Sequence, residues 1–322
     1  VTEGTRSNAR RRGRLDYPAA VIEHAGELAA LGAASCWVVS ALSFEAAGKR
    51  IGSLTLNVIR LAMALVPLSL WGLIARGQVL PLDADAHAWT WLAASGLVGF
   101  VIGDLCLFRA FVLIGPRLGV LIMASAPVWA ALFGFVLLGE TLAVRELLGI
   151  ALTLAGIGWA LAQRPSPPTS DHAASDRRAH HDPIGLLLGL GGALGQAGGL
   201  ILSKHGMRDF DPFAATQIRV LVGTLGFALV VTALRWWPRV REALRDGEAM
   251  RSTAIGAMFG PFLGVGCSLL ALQHAPTGVA ATLMATTPIL MLPISWYRGE
   301  RLGLGGVLGA FVAFAGVVLL LT

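Results

Sequence analysis

Residues 118–140 read LGVLIMASAPVWAALFGFVLLGE, and residues 278–300 read GVAATLMATTPILMLPISWYRGE. Each is an apolar run broken near its middle by a proline, Pro127 or Pro288, and each closes on Gly-Glu. Gly139-Glu140 and Gly299-Glu300 lie 160 residues apart, as do Pro116 and Pro276, while Ile59-Arg60 and Ile218-Arg219 recur at 159. A period this long exceeds the roughly 20–50 residues of a solenoid unit. The chain is therefore read as two copies of one larger module. A polar stretch, Gln163 to Pro183, separates them.

Composition places the module in lipid. Hydrophobic residues make up 55% and charged residues 14% of the chain, with mean hydropathy +0.70. A soluble domain carries about a quarter charged residues. The 40 glycines would weaken water-soluble helices, but small residues let membrane helices approach closely. The net charge of +6 comes mostly from arginines in a tail and in loops, which reads as charge flanking a membrane. No motif supports nucleic acid as a partner. Cys36, Cys106 and Cys267 fall inside apolar runs without metal-ligand spacing, so neither a metal site nor a disulfide framework is expected. Arg10, Arg11, Arg12 and Arg14 precede the first apolar run and read as a basic tail before an uncleaved helix rather than as a cleaved leader.

A membrane helix needs about 20 apolar residues, and ten such runs are predicted. The first half supplies Leu28 to Phe44, Leu54 to Ala75, Trp89 to Leu113, Leu118 to Leu138 and Leu147 to Leu161. The second supplies Ile184 to Leu202, Ala215 to Leu234, Thr253 to Leu272, Gly278 to Trp296 and Leu302 to Leu321. The expected organisation is a tail over 1–26, a five-helix repeat over 27–162, a linker over 163–183 and a second repeat over 184–322. Five is odd, so the second copy enters from the opposite face. The expected fold is all-α and polytopic, with ten transmembrane helices in two inverted five-helix repeats, an architecture suited to alternating access. The positive-inside rule gives a divided answer on orientation. The basic tail favours a cytoplasmic N-terminus, which places Arg235, Arg239, Arg241, Arg245 and Arg251 outside.

The second part of each copy carries a resemblance. One copy reads Gly115-Pro116-Arg117, Ala126-Pro127, Leu138-Gly139-Glu140-Thr141, Gly149 and Gly156-Ile157-Gly158. The other reads Ala275-Pro276-Thr277-Gly278, Thr287-Pro288, Arg298-Gly299-Glu300-Arg301, Gly309 and Gly316-Val317-Val318. This resembles the EamA-type domain of the drug/metabolite transporter superfamily, in tandem and over nearly all the chain after residue 27. The resemblance implies a ten-helix secondary transporter of the inner plasma membrane, with both termini cytoplasmic. Its solute would be a small organic metabolite such as an amino acid or a drug-like compound, with export the favoured direction. It implies no ATP, no cofactor and no catalytic residue. The partners expected are the solute, the bilayer and a coupling proton or ion, in a monomer or homodimer. Two other classes stand beside this one. A membrane scaffold or regulator would show no flux, and an intramembrane lipid-modifying enzyme would need clustered His, Asp or Glu at one face.

An ionisable residue deep in a membrane helix must face protein or water. Asp104, in Gly103-Asp104-Leu105-Cys106, is the foremost candidate. It reads as a coupling site or a partner for a cationic solute, or else as half of a buried pair with Arg60 or Arg109. Arg109 stands about 140° further round the helix, off that face. Arg60 and Arg219, the repeat-related pair, read as gates or as anchors that snorkel to the headgroups. Trp37, Ser40 and Gln196 are candidates for a solute cavity, with Trp37 answering Gln196 at an offset of 159. Ser125, Thr286 and Thr287 join them, because Pro127 and Pro288 free backbone carbonyls one turn earlier. The hydroxyls can equally satisfy one another. At an offset of 160, Asp104 answers Gly264. Gly185, Gly189 and Ala193, and likewise Gly96, Gly99 and Gly103, read as close-packing faces. Lys204 and His205 read as interfacial residues, and Glu140 and Glu300 as punctuation at helix ends.

Overall fold

The computed structural model describes residues 24–162, 182–291, 293–294 and 304–321, and the regular structure among them is entirely helical. The basic tail, most of the linker and the Gly299-Glu300 motif lie outside the described residues. In the first half the helices are α1 (Ala25–Ile51), α2 (Ser53–Arg76), α3 (Ala86–Gly96), α4 (Asp104–Met123), α5 (Ala126–Leu138) and α6 (Val144–Ala162). In the second they are α7 (Pro183–Met207), α8 (Pro212–Ala233), α9 (Trp237–Ala243), α10 (Gly247–Ala257), α11 (Val265–His274), α12 (Thr277–Met284), α13 (Thr287–Leu290) and α14 (Leu304–Leu321). Helix starts follow local chemistry. Asp182-Pro183 and Asp211-Pro212 each set a carboxylate at the N-cap, where it accepts from the first free N–H groups. Each also puts a proline where its missing N–H costs nothing.

Among the described residues, six helices are long and apolar enough to cross a membrane: Ala25–Ile51, Ser53–Arg76, Ala86–Ile114, Pro183–Met207, Pro212–Ala233 and Gly247–His274. Shorter apolar helices cover Ala126–Leu138, Thr277–Leu290 and Gly305–Leu321. Large apolar side chains such as Val66, Ile74, Leu229 and Phe311 point outward, on a scale water does not tolerate but lipid does.

The run expected from Leu118 to Leu138 is not one helix. Its break falls at Ala124–Ser125, and the second copy breaks likewise at Ala285–Thr286. The prolines are the reason. A proline ring clashes with the carbonyl four residues back, and four residues before Pro127 and Pro288 stand Met123 and Met284, the last residues of α4 and α12. The copies differ one element earlier. Ala275, before Pro276, is extended at φ −133° and ψ 156° and ends α11, whereas α4 runs on through Pro116. The short α9, between the second and third helices of the second half, was not expected from the apolar runs.

Corresponding helices of the two halves meet where α2 packs on α8 and α6 on α14, and α5 of the first half's broken fourth run packs on α12 of the second half's. The α2–α8 and α6–α14 pairs run antiparallel. Leu61 lies beside Gly223 while Gln217 reaches Ser69, and Gly149 lies beside Gly316 while Gly156 lies beside Gly309. The first helices cross over. Helix α7 lies along α3 and α4 of the first half, and α1 lies along α10 and α11 of the second. Glycine makes the α7 crossing possible: a Cβ at Gly195 would stand 2.8 Å from Gly103 Cα, and one at Gly199 3.0 Å from Gly99 Cα. In lipid, such close packing supplies the association that water would otherwise drive.

The third helix of each half also contains a seven-residue π-helical segment, Leu97–Gly103 in one and Met258–Gly264 in the other. Their register is 161 residues. It matches Gly99 to Gly260, Phe100 to Pro261 and Gly103 to Gly264, so Asp104 answers Val265 and not Gly264.

Candidate functional site

The two π segments face one cavity of about 280 Å³, walled by both halves. The first half contributes Trp37 from α1, Arg60 from α2, Phe100 and Gly103 from its π segment, Asp104 from α4, and Pro127. The second contributes Gln196 and Leu200 from α7, Arg219 from α8, Pro261 from its π segment, Val265 from α11, Met284 and Thr287. A π turn widens the helix and displaces its hydrogen-bond ladder, which is why such turns recur at functional sites. Pro261, with no N–H to place, stands in one of them.

Asp104 pairs with Arg60. Both side chains are largely buried, and the Arg60 guanidinium also lies 5.2 Å from the centroid of the Phe44 ring. Arg109 is exposed and is not the partner. Arg60 and Arg219 each enter their helix by seven residues, about 10 Å along the axis. Neither snorkels. Arg219 is only 5% exposed, and its guanidinium lies 5.0 Å from the centroid of the Phe100 ring. Among the described residues it has no ion pair, and its Nε is buried without a hydrogen bond. An arginine at the centre of a membrane helix costs about 2.5–3.5 kcal/mol on insertion scales, and a desolvated cation–π contact offsets about 2 kcal/mol or more of that.

The remaining candidates divide. Trp37 packs against Gly264, where a Cβ would come within 3.3 Å of its indole. Gln196 is exposed to the cavity. Thr287 lines it while donating to Met284 O at 2.9 Å. Ser40 is fully buried and donates to Gly256 O across the α1–α10 contact at 3.2 Å. Ser125 and Thr286 donate to Ile122 O and Leu283 O, each at 2.7 Å, and so hold the turns before the prolines. Ser40, Ser125, Thr286 and Pro288 are not among the cavity-lining residues. The apolar lining of Phe100, Met123, Leu200, Pro261 and Met284 escaped the sequence reading, although Gly99 and Gly103 matched to Gly260 and Gly264 were a usable signal.

At one end of the assembly, Glu140 ties the halves together. Its carboxylate accepts from Thr277 N and Thr277 Oγ1, each at 2.7 Å, and pairs with Lys204 Nζ at 2.8 Å. Lys204 also donates to Ala275 O at 2.7 Å. Burial alone would raise the Glu140 pKa, but the hydrogen bonds from Lys204 and Thr277 outweigh it and hold it below the ordinary glutamate value. A negative charge at the N-terminus of α12 is favourable in its own right. Glu140 and Lys204, read from sequence as a helix end and an interfacial residue, are thus joined across the repeat boundary.

The model of the EamA-like transporter family matches residues 24–162 and again residues 183–322. A solved crystal structure of another protein shares the fold with a TM-score of 0.70 at 16% identity, over 92% of this chain and 96% of its own. No curated protein matches the chain.

Proposed function

The chain belongs to the EamA-like transporter family, and on that premise we propose that it is a secondary transporter of a small organic solute, worked by alternating access. The observation that carries this reading is the cavity, which draws its wall from both halves and from both π segments. A solute held there touches the first and third helices of each repeat, so rocking one half against the other can expose it to either side. The antiparallel pairing of corresponding helices supports ten crossings in two inverted repeats. The family and the basic tail favour an inner plasma membrane with cytoplasmic termini, and export as the direction.

Proton coupling belongs to the proposal through Asp104. Its ion pair with Arg60 opens when the carboxylate takes a proton, which changes the charge of the wall with occupancy. Full pH-dependent transport by an Asp104→Asn protein would remove this part. The main reading is tested by loading purified protein into liposomes without ATP and following counterflow of amino acids, organic acids and drug-like cations. Protein-dependent flux of at least one solute is expected. A folded protein that moves none of them would instead be a scaffold.

A further inference from the structure

Among the described residues, three charged side chains line the cavity: Arg60, Asp104 and Arg219. Arg60 and Asp104 neutralise one another. Arg219 is left as a buried cation with no hydrogen bond or ion pair among the described residues. The lining is therefore net positive by one charge. The guanidinium lies beside Gly99, where a Cβ would be in van der Waals contact with Arg219 Nη2 at 3.4 Å. The second half has the same arginine as the first but Val265 where the first has Asp104.

We infer that Arg219 anchors the carboxylate of an organic acid, with the apolar body of the solute against Trp37, Phe100, Met123 and Met284. This rests on the transporter reading and names its substrate class. One guanidinium offers a planar fork that fits the two oxygens of a carboxylate and matches its single charge. A doubly charged phosphate would exceed the single positive charge that Arg219 leaves uncompensated. Asp104 is held by Arg60, so an ammonium group on the solute is not required.

The test uses full-length protein in detergent and a series of monocarboxylates, from acetate to 3-phenylpropionate, each beside its primary amide. Binding is read by tryptophan fluorescence and by thermal shift. At least one acid should bind about ten-fold or more tightly than its amide, and Arg219→Gln should erase that preference. Arg219→Lys, which keeps the charge and loses the fork, should retain part of it and serves if the glutamine variant does not fold. The inference is overturned if no acid binds, if acids and amides bind alike, or if Arg219→Gln keeps the preference. Counterflow of the same series separates the two readings. Flux of amides and acids alike leaves a transporter without the anchor. Acid preference without flux keeps the anchor and sinks transport.

Discussion

Arg60 and Arg219 occupy the same place in the two repeats and live in opposite circumstances. Each stands about 10 Å into its helix, each lies over a phenylalanine ring at close to 5 Å, and each faces the same cavity. One has a carboxylate partner on the neighbouring third helix. The other has a valine at the matching position. Duplication built a symmetric frame, and a single unmatched residue made its two walls electrostatically different. In this fold the backbone repeat shapes the cavity, and the departures from the repeat set its chemistry.

Breaking the paired side should cost most. Arg60→Gln leaves Asp104 uncompensated in a largely buried wall, and Asp104→Ala strands Arg60. Each should destabilise the protein by about 3 kcal/mol, read as a lower unfolding temperature in detergent. Arg219→Gln should do the reverse, holding or raising that temperature, because it removes a charge with no partner. Equal losses at the two arginines would break the comparison. Moving the carboxylate, with Asp104→Val and Val265→Asp together, should recover part of the loss and transfer the ion pair to the second half.

The crossings of the first helices sharpen the comparison at a smaller scale. Gly195→Ala drives a methyl into Gly103 and should cost about 1–3 kcal/mol by overpacking. On α1 of the other half, Gly32 has open space around its Cα. Gly32→Ala should be neutral or stabilise by a few tenths of a kcal/mol to about 1 kcal/mol, seen in the same melting assay.

The smallest effect belongs to the tie between the halves. Because the Glu140 pKa is lowered from its ordinary 4.5, its stabilising contribution is present above that value. It is lost as pH falls through the lower native pKa. Melting curves taken from about pH 6 down to about pH 3 should show this acid loss, and Glu140→Gln should flatten that part of the profile.

Much of this was legible before any tertiary contact was known. Asp104 and the two arginines declared themselves, because charge inside an apolar run is costly enough to be rare. Trp37 and Gln196 were found through the register of the repeat, and both reach the cavity. Ser40, Ser125 and Thr286 looked the same in sequence, yet each hydroxyl turned out to be occupied with a backbone carbonyl. A hydroxyl in an apolar helix carries no mark of whether its partner is a solute or the chain itself. The π segments were invisible for a related reason: they keep helical composition and change only which carbonyl each N–H selects.

The sequence by itself determined the apolar runs, the duplication and the family, since these depend on periodicity, composition and residue identity along the chain. Only the tertiary structure decided which arginine has a partner, that the first helices cross between halves, and that Asp104 answers Val265. Those outcomes depend on distances between residues far apart in the chain. They also depend on a one-residue difference in register that turns a helix by about 100°.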